Sequence, residues 1–194
     1  MKLLDEMRHF LDLTRSQGIA RRYFVVNGFD GALAMLGLVM GFYVTGDASL
    51  EVAITACMGG AIALGVSGLS SAYISETAER RRDLRSLEEA MAGESLQNSS
   101  HGRAARLVPV YVASVNGLAP FVTALLIIAP LWMARWGVVL PFSPFLAAAG
   151  TATFLLFFYG VYLGVVSGTF WLWSGVRTLF IAAATAGLIL LLRF

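Results

Sequence analysis

Asp30 is the only acidic residue inside any of the long apolar stretches of this 194-residue chain. A carboxylate near the middle of a membrane helix costs about 2.5–3.5 kcal/mol on insertion scales, so it ordinarily faces a cavity, a partner or an ion path. Gly28 and Gly31 lie close on either side and remove bulk, which lets a partner helix or an ion approach the backbone. The competing reading makes Asp30 the cap of a helix break near Gly28. Met35 and Met40 follow, turned about 140° and about 80° away from Asp30 on a helix. Thioethers ligand soft or borderline metals, although core filling is their commoner use.

A second group lies at Glu76, Glu79 and Asp83, whose spacing puts all three within about 60° of one helix face. Like charges one turn apart destabilise a helix by a few tenths of a kcal/mol, and a divalent cation converts that repulsion into coordination through hard oxygen ligands. Against this, Glu76–Arg80 and Arg85–Glu89 have ordinary i,i+4 salt-bridge spacing, which describes a solvated charged helix equally well. Glu88, Glu89 and Glu94 could join a metal site only through folding back or dimerisation. His9 and His101 read as surface residues, and the single cysteine, Cys57, as a small buried hydrophobe. No Cys/His cluster, phosphate loop, nucleophile elbow or Ser/His/Asp set is visible, so an enzyme is not expected, nor a permanently bound cofactor, nor a nucleic-acid partner.

The elements that must position these residues follow from where charge is missing. Charged residues make up 13% of the chain, about half the usual share of a soluble domain. Residues 52–75, 107–134 and 136–176 contain no Asp, Glu, Lys or Arg, and a bilayer-spanning helix needs about 20 mainly apolar residues. The expected fold is therefore all-α: a polytopic integral membrane protein with five transmembrane helices and a short cytoplasmic helical insert between spans 2 and 3. The spans are predicted near 23–44, 52–75, 107–133, 142–166 and 176–192.

In segments, 1–20 reads as an N-terminal amphipathic interfacial helix carrying Leu3, Leu4, Met7, Phe10 and Leu11. Residues 21–75 hold spans 1 and 2, and 76–106 a charged helix followed by a flexible return through Gln97–Gly102. Residues 107–194 hold spans 3 to 5, with 167–175 expected as a loop whose Trp171 and Trp173 suit a membrane interface. No cleavable signal peptide is visible. Eleven basic residues fall in the N-terminal and 76–106 segments against two, Arg135 and Arg193, on the opposite side. The positive-inside rule then places the N-terminus in the cytoplasm and the C-terminus outside. A weak internal echo pairs Asn27-Gly28 with Asn116-Gly117 and residues 65–68 with 164–168.

Four segments together resemble the vacuolar iron transporter family, over about residues 21–192. Asn27 through Leu33, with Gly37 and Gly41, resembles that family's opening span. Ser67 through Tyr73, running into Ser75, Glu76 and Glu79, resembles its second span and the start of its cytoplasmic helix. Asn116-Gly117-Leu118-Ala119-Pro120 resembles its Gly-Gly-Leu-Ile-Pro segment, and Gly164–Gly168 with Ser174–Leu179 its closing loop and last span. The resemblance implies a homodimer that exports Fe²⁺ or Mn²⁺ from the cytosol in exchange for protons. It places Asp30 on the ion path, and Glu79, more loosely Glu76, at a cytoplasmic metal site. Two positions depart from the family: its plant-type second-span methionine reads Gly68 here, and a frequent glutamate reads Ala72. The rival expectations are a transporter of a different cation and a non-transporting membrane assembly or sensor protein in which Asp30 is a packing group.

Overall fold

The computed structural model describes residues 16–46, 48–91, 93 and 95–191. Among them the chain forms five helices and no strand: α1 (Ser16–Thr45), α2 (Leu50–Ala90), α3 (Ser100–Arg135), α4 (Pro144–Ser167) and α5 (Trp171–Leu191). Each is long and apolar enough to cross a bilayer, as the charge-free stretches require. Residues 1–15 of the N-terminal amphipathic stretch, with His9, lie outside the described residues, as does Glu94; residues 16–20 of that stretch belong to α1.

Helix boundaries depart from the sequence expectation at three places. The predicted second span does not end at Ser75: α2 runs unbroken for 41 residues to Ala90, so the charged stretch is helical, as expected, but continuous with that span's helix. The return loop is shorter than expected: α3 begins at Ser100, so residues 100–106 are helical. Ser99 causes this, since its Oγ accepts the Gly102 N–H at 3.2 Å and donates to the Leu96 carbonyl at 2.6 Å, serving as an N-cap. The expected 167–175 loop shrinks to Gly168, Thr169 and Phe170, and Trp171 and Trp173 stand in the first turn of α5. Gly168 stops α4 in the left-handed conformation (φ 69°), and the Thr169 N–H closes on the Gly164 carbonyl at 3.0 Å, which satisfies the exposed helix end in one turn.

The chain divides into two compact units. The first comprises the described part of Met1–Phe24 with Gly65–Leu118. Its small core is Ala20, Ala104, Val108 and Val112, flanked by Ile19, Tyr23, Tyr111 and Val115. Here α2 and α3 meet backbone to backbone: a Cβ placed on Gly117 would lie 2.6 Å from the Gly65 carbonyl oxygen and 2.8 Å from Leu69 Cβ. Asn116 is buried beside this crossing, and its Nδ2 donates to the Gly68 carbonyl at 2.6 Å. A buried amide needs such a partner.

The second unit comprises Val25–Leu64 and Ala119–Phe194. Its core draws on all five helices and includes Met35, Leu36, Val39, Cys57, Ile127, Ile128, Leu131, Leu156 and Ala182. Within it α4 and α5 form an antiparallel hairpin along small residues. A Cβ on Gly164 would lie 2.8 Å from Ser174 Oγ, and one on Gly175 would lie 2.9 Å from Val161 Cγ2. Van der Waals contact at such close approach drives helix association where no water is displaced. Outward, Phe154, Phe158, Phe180 and Leu188 are all exposed. Arg135, at the end of α3, pairs with Glu51 in the first turn of α2 at 3.1 Å.

Candidate functional site

Asp30 stands in an unbroken α1, so it caps no helix break. Its two glycines serve packing on other faces of the helix. A Cβ on Gly28 would run into the Tyr159 phenol, and one on Gly31 would lie 2.8 Å from Pro120 Cα. The Asp30 side chain is itself exposed, in the i,i+4 row Val26, Asp30, Ala34, Leu38, whose other members are apolar and also exposed. No hydrogen-bond or ion-pair partner for its carboxylate is found among the described residues. A lone carboxylate is therefore presented outward from the apolar part of α1, on a face that this chain's own core does not cover.

Met35 and Met40 turn inward instead. Both are buried in the apolar core of the second unit, where Met35 Cε would meet a Cβ on Gly60 at 3.2 Å. Sequence reasoning missed a buried polar pair in the same unit: Thr123 and Tyr159 hydroxyls lie 2.6 Å apart, and Thr123 also donates to the Ala119 carbonyl at 2.8 Å. A threonine and a tyrosine within otherwise apolar spans were the available signal, since buried hydroxyls need partners.

On α2, Glu76 is buried at 7% exposure, whereas Glu79 and Asp83 are exposed. Arg80 lies between two of them, its Nη2 3.4 Å from Glu76 Oε2 and its Nη1 3.6 Å from Asp83 Oδ2. The guanidinium thus occupies the position a bridging cation would need. Glu88 accepts the Leu96 N–H at 2.8 Å, Glu89 is exposed, and His101 is exposed on the first turn of α3. Among the described residues no group of three or more His, Cys, Asp and Glu side chains is gathered closely enough to hold a metal ion. Glu76, Glu79 and Asp83 share a helix face but do not form a ligand set while Arg80 sits between them.

This arrangement sets a two-sided expectation. Replacing Glu76, Glu79 and Asp83 together by Gln, Gln and Asn should weaken Mn²⁺ binding by about tenfold, the loss of one charged contact. Arg80→Gln should tighten it by removing the competitor. Calorimetry on detergent-purified protein reads both, and unchanged affinity in both variants would leave this helix a charged face with no metal role.

Gly68 sits where α2 and α3 come close, with little room for a side chain. A Cβ there would lie 3.0 Å from the Asn116 carbonyl oxygen and 3.3 Å from Gly117 Cα. The backbone of α3 fills the space a methionine would need, and Asn116 bonds the Gly68 carbonyl across it.

No protein-family model matches the chain. It is similar to an uncharacterized protein of Methanocaldococcus jannaschii, 28% identical over 167 residues that cover 85% of this chain and 84% of that protein.

Proposed function

We propose that this chain is a multi-pass membrane protein that moves a divalent cation, Fe²⁺ or Mn²⁺, out of the cytosol as a homodimer, in exchange for protons. The observation that carries the reading is Asp30: a carboxylate in an apolar, exposed row of an unbroken membrane-length helix, with no partner among the described residues. Such a charge is costly in lipid, and the cost falls if a second copy and a cation meet it. Two facing carboxylates supply the hard oxygen ligands that Fe²⁺ and Mn²⁺ accept. Five apolar helices with large exposed hydrophobic side chains suit lipid surroundings, and the choice of cargo rests on the sequence resemblance to vacuolar iron transporters. In this reading the acidic residues of α2 recruit the ion on the cytoplasmic side once Arg80 yields.

The Arg80 clamp favours a second reading, in which the protein transports nothing and Asp30 is a polar contact within a membrane assembly. Purified protein in liposomes loaded with a metal-sensitive dye separates the two. Transport gives dye signal on adding Fe²⁺ or Mn²⁺, stimulated by a pH gradient; vesicles no more permeable than empty ones would exclude it. The proposed orientation, with the N-terminus cytoplasmic, rests on the basic residues. A reporter inserted at Asn98 should lie in the cytoplasm and one after Phe194 outside; both on one side would refute the five-span count, and the reverse placement the orientation.

A further inference from the structure

The first unit contains an open cavity of about 610 Å³ that neither the cation path nor the carboxylate face uses. One helix stripe, Tyr73, Thr77, Arg81 and Arg85, forms one wall, and Gly102, Ala105 and Arg106 at the start of α3 form the other. Gln97, from the connection between the helices, closes an end. Among the described residues three guanidiniums therefore line one hollow against a single carboxylate, Glu88, and that carboxylate is engaged by the Leu96 N–H at 2.8 Å. Arg106 is steadied by the Gln97 carbonyl at 3.4 Å. Among the described residues Arg85 makes no ion pair with Glu89, the partner its spacing offers, so its charge stays with the cavity.

Thr77 supplies an independent observation. Several serines and threonines elsewhere in the helices return their hydroxyls to the carbonyl one turn back, as Thr45, Thr55, Ser70, Thr151, Thr153 and Thr185 do. Thr77 Oγ1 is buried and has no hydrogen-bond partner among the described residues. A buried hydroxyl left without a partner costs free energy, and an acceptor seated in the hollow beside it would remove that cost. Charge, size and the orphan donor all point to an anion with several acceptor oxygens.

We infer that this cavity binds a phosphate group, held by Arg81, Arg85 and Arg106 with Thr77 as a hydroxyl donor. Guanidinium forks match phosphate oxygens in paired hydrogen bonds, and a phosphate monoester dianion offsets most of the local positive charge. The group could be carried by a soluble phosphorylated compound or by a lipid headgroup, and the recognition chemistry is the same. The inference is independent of metal transport, because it uses none of the residues assigned to the cation.

The test titrates the full-length, detergent-purified chain with inorganic phosphate by calorimetry. It then measures binding of the chain, reconstituted in phosphatidylcholine nanodiscs, as phosphatidate is added. Saturable binding of inorganic phosphate assigns a soluble ligand; saturation by phosphatidate alone assigns a lipid headgroup. In whichever arm saturates, Arg85→Gln and Arg106→Gln should each weaken binding about tenfold, and Thr77→Val should weaken it less. Arg82→Gln removes the same charge outside the cavity and should have little effect. Saturation by neither probe overturns the inference, and so does equal weakening by Arg82→Gln, which would reduce the effect to net charge. The wild-type titrations decide the first point even if a variant fails to fold.

Discussion

Asp30→Asn should cut cation flux by one to two orders of magnitude while leaving the protein folded and as stable as before, or more so. The amide keeps the size and much of the hydrogen-bonding capacity of the carboxylate but removes its charge and its titratable proton. Structural damage is not expected, because α1 is continuous through Asp30 and the side chain is exposed with no partner among the described residues. If that face meets lipid, removing the charge relieves a term of about 2.5–3.5 kcal/mol on insertion scales, so the melting temperature in detergent should hold or rise. If the charge ligates the cation, its loss removes at least one charged contact in each copy, and flux into dye-loaded liposomes should fall by about 10- to 100-fold. Stimulation by a pH gradient should vanish with it. A folded variant that still transports at the wild-type rate would remove the residue on which the proposed function rests.

Gly117→Ala should destabilise the protein, although helix propensity alone argues the opposite. In a helix interior alanine is better than glycine by about 1 kcal/mol. At Gly117, however, the new Cβ would sit 2.6 Å from a backbone oxygen, Gly65 O, and 3.0 Å from the Leu69 nitrogen. Backbone cannot swing aside as a side chain can, so the crossing of α2 and α3 must widen. That also stretches the 2.6 Å bond from Asn116 to the Gly68 carbonyl. Overpacking costs about 1–3 kcal/mol, and a buried amide with a weakened bond adds about 1–3 kcal/mol more. The steric side wins by about 1–5 kcal/mol, which for a chain of this size lowers the melting temperature by roughly 2–20 °C. Gly150, which has open space around it, is the control: Gly150→Ala should not lower the melting temperature. Equal responses at the two sites would show that the α2–α3 contact is looser than described.

Much of the fold was legible because its signal is long. An uncharged run of 20 residues or more has few outcomes, so three such runs sufficed for an all-helical, membrane-length architecture. The count of five also needed apolar runs that tolerate Asp30 and Arg177 and the breaks near Pro141, Pro144 and 167–175. Helix ends were harder, because they depend on single residues. Gln97–Gly102 has loop composition, yet Ser99 within it is an N-cap, and treating the stretch as a block hid that residue. Trp171 and Trp173 suited an interface, but nothing in tryptophan's chemistry says whether that interface is a loop or a first helical turn. The site divides the same way. The Glu76–Arg80 spacing exposed one half of the clamp, while the reach of Arg80 forward to Asp83 depends on a rotamer. That Asp30 faces outward could not be read from its flanking glycines, because their own partners, Tyr159 and Pro120, are far away in sequence.

The link between α4 and α5 bears on how the chain assembles. Helices of 24 and 21 residues are joined by only Gly168, Thr169 and Phe170, and their seam pairs residues close in sequence, such as Gly164 with Ser174. The entropy of closing a loop grows with its length, so this pairing forfeits less chain freedom than any contact linking the start of α1 to α3. Contacts this local form quickly. The hairpin can zip as soon as both of its strokes have left the ribosome, whereas the crossing at Gly117 must wait for segments dozens of residues apart to find each other.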